Sequence, residues 1–362
     1  MDYPVSDMSL QLAIFITVIA AFAVSAAIAP VARWLGFRLK IVDEPTGGRK
    51  IHQARTALLG GLSPFAGIVV GLIAAYGFAD GKELHPAQVI GFGVALLILL
   101  IGGILDDRYN LPPIVQFIFP LFAALAVVAS GSAITIVTNP FGGTIGLSWI
   151  HIPMTRGWSL DFPSDLLSIV WLLVVTYAMK FLDGLDGLVA GMTVIGAALI
   201  AGLASSFAYF QPTIALLALT IAAAYLGFLP WNRSGSLFLG ESGSTIAGFS
   251  LGVLAIISGA KVATASAALG VPLVDVVLVI LDRLARGTSP FRGDSSHLHF
   301  RLLSIGFTPR AAVRIIWTIA LTFGLIALTL QTKGKIFLLT LLIVVIAGIS
   351  TYAKEKSKKA KS

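Results

Sequence analysis

The sequence predicts an all-α polytopic membrane protein with about 11 transmembrane helices. Of its 362 residues, 57% are hydrophobic and only 12% are charged, whereas about 25% of residues in soluble domains are charged. This composition places the chain in the membrane class. The chain has no cysteine, which excludes disulfides and thiolate metal sites. Basic loops on one side of a membrane explain the net charge of +8 without a nucleic-acid partner.

Apolar runs long enough to cross a bilayer define the predicted helices. A spanning helix needs about 20 apolar residues, with a range of about 17 to 25. The acidic N-terminus lacks the basic start of a signal peptide, so we expect the first run to be retained. The predicted spans are 10–32, 62–79, 87–105, 114–130, 165–181, 188–207, 212–229, 245–259, 267–281, 315–330 and 336–352.

Alternating the loops across the membrane orients the chain. The 25 Lys and Arg residues then divide into 20 on one side and 5 on the other. Because cytoplasmic loops are enriched in Lys and Arg, the first side is assigned to the cytoplasm. The sequence therefore predicts a multi-pass protein of the cell (inner or plasma) membrane, with its N-terminus outside and its C-terminus and active site cytoplasmic. We expect one integral membrane domain over residues 1–352 and a solvated basic tail over 353–362 beside anionic lipid.

The longest outer segment, residues 131–164, favours strands over helix. It contains AITIVTNPFGGTIGLSWIHIP, in which β-branched runs flank a Gly-Gly turn. We expect a small extracytoplasmic β-hairpin here, with His151 as a surface residue.

Carboxylates gather at the cytoplasmic ends of the predicted helices. Asp106 and Asp107 are adjacent, Asp183 and Asp186 share one face of a helical turn, and Glu241 precedes the eighth span. Such like charges persist side by side when a divalent cation or protons neutralise them. Oxygen-only ligands favour Mg²⁺ or Mn²⁺, and Mg²⁺ typically binds one or two carboxylates plus substrate phosphates. Taken singly, each acid is equally well explained as a solvated loop charge.

Basic side chains and a helix start provide candidate phosphate ligands. Arg49, Lys50, His52 and Arg55 form a cluster that suits a pyrophosphate, although positive-inside charge explains it as well. The stretch GESGS (240–244) would present backbone N–H groups at a helix N-terminus, which is a ready anion site. No GxxxxGK[ST] motif is present in the sequence, so a P-loop ATPase is not indicated.

Two histidines and one intramembrane acid complete the candidate polar residues. His297 and His299 alternate in HLHF, which suits phosphate binding, proton transfer or metal ligation. Asp275 lies inside the ninth span, where a charge costs roughly 2.5–3.5 kcal/mol on insertion scales. We therefore expect Asp275 to face the bundle interior and to have a partner, and we favour a structural hydrogen bond over catalysis.

Six motifs follow one another over about residues 40 to 310. They are DEPTGGRKIHQ…GG, GGILDDRYNLPP, FLDGLDGLVAG, FLPWN…FLGESGS, K…GVPLVD…DR and SHLHFRLL…GF. In this order they resemble the motifs of the polyprenyl-phosphate N-acetylhexosamine-1-phosphate transferases, and the ordered set is more specific than any single motif. The resemblance is closer to the undecaprenyl-phosphate GlcNAc-1-phosphate transferase branch than to phospho-MurNAc-pentapeptide transferase, which has a run of histidines where HLHF stands.

The resemblance implies a reaction and a set of site residues. Such enzymes transfer an N-acetylhexosamine 1-phosphate, here by default GlcNAc-1-phosphate, from a UDP-N-acetylhexosamine to undecaprenyl phosphate. UMP is released, and a lipid-linked glycan of the lipopolysaccharide or teichoic-acid type is started. Mg²⁺ or Mn²⁺ is the implied cofactor, and a homodimer is left open. The implied catalytic residues are Asp106, Asp107, Asp183, Asp186 and His297; the substrate-binding residues are Lys50, His52, Arg55, Lys180, Asn232, His299 and Arg301; and the metal ligands are Glu241 and Asp107.

Four positions depart from the family pattern. The family usually has Asn at Lys180, Asp at Glu241, a further His at Phe300 and a Pro near Ala57. Lys180 could bind a donor phosphate, pair with an acid and weaken metal binding, or mark altered donor choice or lost activity. A catalytically silent scaffold therefore stays open beside the transferase, as do phospho-MurNAc-pentapeptide transferase and a transporter, although transport sites usually lie at mid-membrane.

Overall fold

The computed structural model describes residues 8–45, 54–78, 83–139, 141–155, 158–207, 209–232, 236–259, 269–288 and 296–359. Within these ranges the chain forms twelve α-helices. They are α1 (Met8–Arg38), α2 (Leu62–Phe78), α3 (Pro86–Tyr109), α4 (Pro113–Ala129), α5 (Ser164–Leu182), α6 (Leu188–Ala204), α7 (Pro212–Phe228), α8 (Gly240–Ile257), α9 (Gly270–Ala285), α10 (Leu298–Ser304), α11 (Pro309–Thr329) and α12 (Thr332–Lys359).

Each of the eleven segments predicted as spans coincides with a helix over its described residues, with ends that differ by several residues in places. In the described chain, seven helices are long and apolar enough to cross a membrane: α1, α2, α3, α5, α8, α11 and α12. Three further apolar helices, α4, α6 and α7, are shorter. The protein is therefore a mostly helical multi-pass membrane protein, while the count of eleven crossings and the orientation stay predictions.

Helix α8 forms the centre of the bundle and packs against α3, α5 and α6. Its approach to α3 and to the turn before α2 depends on missing side chains. A Cβ on Gly103 would lie 2.2 Å from the backbone nitrogen of Ser242, and one on Gly61 would lie 2.4 Å from that of Gly243. Only glycine fits such backbone contacts. The end of α3 therefore meets the start of α8 almost main chain to main chain.

The strands form three antiparallel pairs. In the outer segment the prediction of strands is confirmed, but two hairpins form where one was expected. The Gly-Gly turn joins the first of them, and His151 pairs with Asp161 across the second, with 2.7 Å between Nδ1 and Oδ1. The pairs are β1 (Val42–Asp43) with β2 (Thr56–Ala57), β3 (Ile136–Thr138) with β4 (Thr144–Gly146), and β5 (Ser148–Thr155) with β6 (Trp158–Pro163).

The basic tail begins as a continuation of α12, which runs to Lys359. The Lys354 ammonium lies 2.6 Å from Oδ1 of Asp282, and the Lys356 ammonium donates to the carbonyl of Ile305 at 3.0 Å. Both lysines are exposed as well as in contact with the protein, so the solvated basic tail stays a prediction.

Candidate active site

Asp106 is held in a fixed orientation near the end of α3, where it is 8% exposed. Its Oδ1 accepts hydrogen bonds from the backbone N–H of Leu111 at 2.9 Å and from Nε2 of Gln116 at 3.0 Å. Its Oδ2 lies 3.7 Å from the ammonium nitrogen of Lys180. One carboxylate oxygen is therefore used for positioning, and the other faces a cation.

Asp107 belongs to the last turn of α3, and its carboxylate contacts the first turn of α8. Both of its carboxylate oxygens accept from the backbone N–H of Glu241, at 3.1 and 3.2 Å. The predicted helix start at GESGS is confirmed, since α8 begins at Gly240. An anion is favourable at this position because N–H groups in the first turn lack helical acceptors. The chain's own carboxylate thus takes part of the anion-binding capacity expected there.

Lys180 lies in the last turn of α5, and its side chain is 13% exposed. Its ammonium nitrogen lies 2.9 Å from Oε2 of Glu241 and donates to Oε1 of Gln116 at 2.8 Å. With Asp106 as a third neighbour, this one group joins α5 to α3, α4 and α8. Of the roles left open for Lys180, pairing with an acid is therefore the one found in the structure.

Gln116 completes this arrangement and was not among the predicted site residues. Its amide donates to Asp106 and accepts from Lys180, so it bridges the two charged groups. It lies in PIVQFIFPLFAALAVVA, where every other residue is apolar. A polar side chain inside a spanning segment is rare and commonly functional, and that signal could have identified it.

Asp183 and Asp186 lie in the loop between α5 and α6, and both are exposed to solvent. Desolvation of its carboxyl group, together with the charges of Glu241 and Asp186, raises the pKa of Asp183 to about 8. Asn232 shapes this loop, because its Oδ1 accepts from the N–H of Gly187 at 2.6 Å and its Nδ2 donates to the carbonyl of Leu237 at 3.2 Å. The predicted substrate-binding Asn232 is thus engaged with backbone.

Asp275 and His297 form a buried pair. Oδ2 of Asp275 lies 2.9 Å from Nδ1 of His297, and Oδ1 accepts from the backbone N–H of Leu298 at 2.8 Å. The expectation that Asp275 has an interior hydrogen-bond partner is confirmed. Because Nδ1 is engaged, Nε2 is the ring nitrogen of His297 that remains for other contacts.

His299 is fully buried, with its ring parallel to that of His297 and 5.9 Å away. Within the described part of the chain, neither of its ring nitrogens has a hydrogen-bond partner. Burial lowers its pKa from 6.5 to about 4, so the ring is neutral near pH 7. A Cβ on Gly184 would lie 2.3 Å from Nε2 of His299. The ring therefore packs directly against the loop that carries Asp183 and Asp186.

The remaining predicted phosphate ligands are not gathered with these groups. Nη2 of Arg301 lies 3.5 Å from Oδ2 of Asp282, and its Nε donates to the carbonyl of Ser296. Arg55 forms an exposed pair with Glu44 at 2.8 Å. Lys50 and His52 lie outside the described residues. No basic cluster can therefore be assigned to a phosphate from the contacts that the described residues make.

The expected Mg²⁺ or Mn²⁺ fits the donor chemistry of this site but not its arrangement. Every acid here offers carboxylate oxygens, as these ions prefer. Among the residues the structure describes, however, no three Asp, Glu or His side chains converge on one metal position. Asp107 faces a backbone N–H, and Glu241, the other predicted ligand, faces the Lys180 ammonium.

The fold and site define a multi-pass membrane protein with a buried, acid-rich polar centre at the ends of α3 and α5 and the start of α8. Comparison with known proteins assigns the class more closely. The sequence profile of "Glycosyl transferase family 4" matches residues 89–259. A Bacillus subtilis (strain 168) protein named "Probable undecaprenyl-phosphate N-acetylglucosaminyl 1-phosphate transferase" is 30% identical over 361 residues, covering 95% of each chain.

Two more relatives show the same pattern. The "Decaprenyl-phosphate N-acetylglucosaminephosphotransferase" of Mycolicibacterium smegmatis is 29% identical over 88% of this chain and 83% of its own. The "Undecaprenyl-phosphate alpha-N-acetylglucosaminyl 1-phosphate transferase" of Escherichia coli (strain K12) is 28% identical over 79% of this chain and 75% of its own. The chain belongs to glycosyl transferase family 4, and the resemblance seen in its motifs is confirmed.

Proposed function

We propose that this protein transfers N-acetylglucosamine 1-phosphate from UDP-N-acetylglucosamine to undecaprenyl phosphate, releasing UMP and starting a lipid-linked cell-envelope glycan. The B. subtilis and E. coli relatives are named for this acceptor and this sugar phosphate. The observation that carries the proposal is the convergence of Asp106, Asp107, Lys180 and Glu241 at the ends of apolar helices. Such a site suits a reaction between a charged nucleotide sugar and a charged lipid.

The surroundings of Asp106 suit an acceptor with a phosphate head and an apolar chain. A pocket between α3, α4 and α5 has Asp106 and Lys180 in its wall together with Leu99, Phe119 and Pro120. Charged and apolar groups therefore adjoin here, as the junction of a phosphate with a hydrocarbon chain requires. Asp106, held by Gln116, would orient the acceptor phosphate or accept its proton.

The reaction makes one bond and breaks one. An oxygen of the lipid phosphate bonds to the sugar-bearing phosphorus of the donor. The bond from that phosphorus to the bridging oxygen breaks, and UMP leaves with that oxygen and the electron pair. Phosphoryl transfer leaves a protein chiefly positioning and charge neutralisation to perform. Asp183 and Asp186 would hold the nucleotide side of the donor, and His299 against their loop supplies a neutral hydrogen-bonding group.

Several finer points belong to the same proposal. The 20-to-5 division of Lys and Arg supports a cytoplasmic site in the inner or plasma membrane. The requirement for Mg²⁺ or Mn²⁺ and the homodimer stay predictions from the resemblance.

A single assay tests the proposed function. The full-length protein, purified in detergent, would be incubated with undecaprenyl phosphate and UDP-GlcNAc or UDP-GalNAc, with Mg²⁺ or with EDTA. We expect UMP and a lipid whose mass has increased by one N-acetylhexosamine phosphate. Lys333→Asn, which changes an exposed lysine at the start of α12, is the control variant and should match the wild type. No product from any donor, while the B. subtilis relative is active in parallel, would contradict the proposal and favour a silent scaffold.

A further inference from the structure

Two of the positions that depart from the family pattern contact each other. Lys180 stands where an Asn is usual and Glu241 where an Asp is usual, on two different helices. Their ammonium nitrogen and carboxylate oxygen are 2.9 Å apart. A glutamate carboxylate reaches one methylene further than an aspartate carboxylate, and this ion pair uses that reach. The two departures therefore form one structural unit.

The Lys180 ammonium has the environment of a bound cation. Its neighbours are an amide oxygen of Gln116 at 2.8 Å and carboxylate oxygens of Glu241 at 2.9 Å and Asp106 at 3.7 Å. These three oxygens come from α4, α8 and α3; the ammonium donates a hydrogen bond to Gln116, and its contacts with the two carboxylates are ion pairs. Only 13% of the lysine side chain is exposed, so little water screens its charge.

A divalent ion bound to Oε2 of Glu241 would lie within a few ångströms of this ammonium. Two cations a few ångströms apart repel strongly in a poorly hydrated site. The contact with Lys180 also uses the carboxylate that the family resemblance assigns to the metal.

We propose that the Lys180 ammonium occupies the cation position at Glu241. Transfer would then need no Mg²⁺ or Mn²⁺ at this carboxylate. This inference rests on the proposed function for its catalytic part. In the transfer step, Lys180 would stabilise the charge that develops on the bridging oxygen as UMP leaves. A preorganised charge in a site of low polarity is among the largest contributions an enzyme makes to such a step.

Three variants separate this role from a purely structural contact. Lys180→Asn removes the cation, Lys180→Arg keeps it, and Lys180→Asn combined with Glu241→Asp restores the usual family pair. Each is purified with the wild type and with Lys333→Asn, freed of metal with EDTA, and shown to be folded by size-exclusion chromatography. Transfer is then measured with EDTA and with increasing Mg²⁺, and binding of Mn²⁺ alone is measured by electron paramagnetic resonance.

We expect wild-type and Lys180→Arg transfer to be insensitive to EDTA. Lys180→Asn and the double variant should lose about 100-fold in rate in EDTA and recover with Mg²⁺. They should also bind Mn²⁺ more tightly than the wild type does. A merely structural contact would lower activity without changing its dependence on metal.

The inference is overturned if EDTA abolishes wild-type transfer and Mg²⁺ restores it with the same concentration dependence as in Lys180→Asn. Equal Mn²⁺ affinity of the wild type and Lys180→Asn overturns it as well. Failure of the proposed function is a separate result, in which no variant forms product under any condition while the B. subtilis relative does. In that case the Mn²⁺ measurement still decides whether Lys180 occupies the cation position.

Discussion

Two buried polar clusters in this protein deal with burial in opposite ways. The lysine cluster (Asp106, Gln116, Lys180 and Glu241) keeps charged groups by pairing them across four helices. The histidine cluster (Asp275, His297 and His299) pairs two members and leaves the third neutral. A buried charged group is stable when it has a partner of opposite charge, whereas burial without a partner shifts the pKa so that the group is neutral. We therefore expect electrostatic changes to dominate in the lysine cluster and positioning to dominate in the histidine cluster.

The largest effect is expected for Asp106→Asn in the lysine cluster. The amide oxygen of Asn can still accept from Leu111 and Gln116, but its NH₂ group would face the Lys180 ammonium in place of a carboxylate oxygen. We expect transfer to fall by about 100-fold or more, measured as kcat with both substrates saturating.

The matched control for Asp106→Asn is Asp161→Asn. Asp161 lies in β6, which precedes α5, whereas Lys180 is in the last turn of that helix. The 19-residue helix places about 28 Å between the two ends. Full activity of Asp106→Asn would remove this carboxylate from the reaction and would break the distinction between the two clusters.

A smaller effect is expected for Asp275→Asn in the histidine cluster. Asn preserves the shape of Asp275 but removes the charge that faces Nδ1 of His297. By analogy with carboxylates that orient metal-bound histidines, we expect a loss of about 10-fold. The rate per folded molecule should be measured at pH 7.5, together with the yield of folded protein. An unchanged rate per folded molecule with a lower yield would indicate a structural role only.

The smallest effect is a change in stability with pH through His299. The pKa of His299 is about 4 in the folded protein, against an ordinary value of 6.5 that applies to the unfolded chain. Between pH 4 and pH 6.5 the unfolded chain therefore binds a proton that the folded protein does not. Stability from this group is complete above pH 6.5 and falls as the pH is lowered, by about 2 kcal/mol at pH 5. His299→Gln should therefore show a smaller difference in thermal unfolding between pH 7.5 and pH 5 than the wild type. An identical difference in both proteins would contradict the neutral state of His299.

The helices were predictable because their signal is local. Each of the eleven apolar segments carries enough hydrophobic residues by itself to specify a helix, and each coincides with one over its described residues. The outer strands were predictable for the same reason, but their pairing depends on which turns close, so one predicted hairpin became two. The gathering of acids at helix ends followed from sidedness and chain order.

The contacts inside the site were not predictable from local patterns. That Lys180 would turn toward Glu241 and Gln116, and not toward the nearby Asp183 and Asp186, depends on how α4, α5 and α8 pack. Likewise, the contact of Asp107 with the α8 backbone arises because glycines let α3 approach so closely. These outcomes are set by helix-to-helix distances of a few ångströms, which no residue pattern specifies.

The contact of Gly103 and Gly61 with the start of α8 has a consequence for how such a protein diversifies. Main-chain contact, and not side-chain volume, fixes the separation of the acidic helix ends. Substitutions at 180 or 241 therefore change the charges in the site while the distances between the helix ends stay the same. A methyl group at position 103 would push α3 away from the start of α8 and disturb the contacts between the acidic helix ends. Changes at 180 and 241 can thus arise without altering the spacing of the helices, provided that these two glycines are kept.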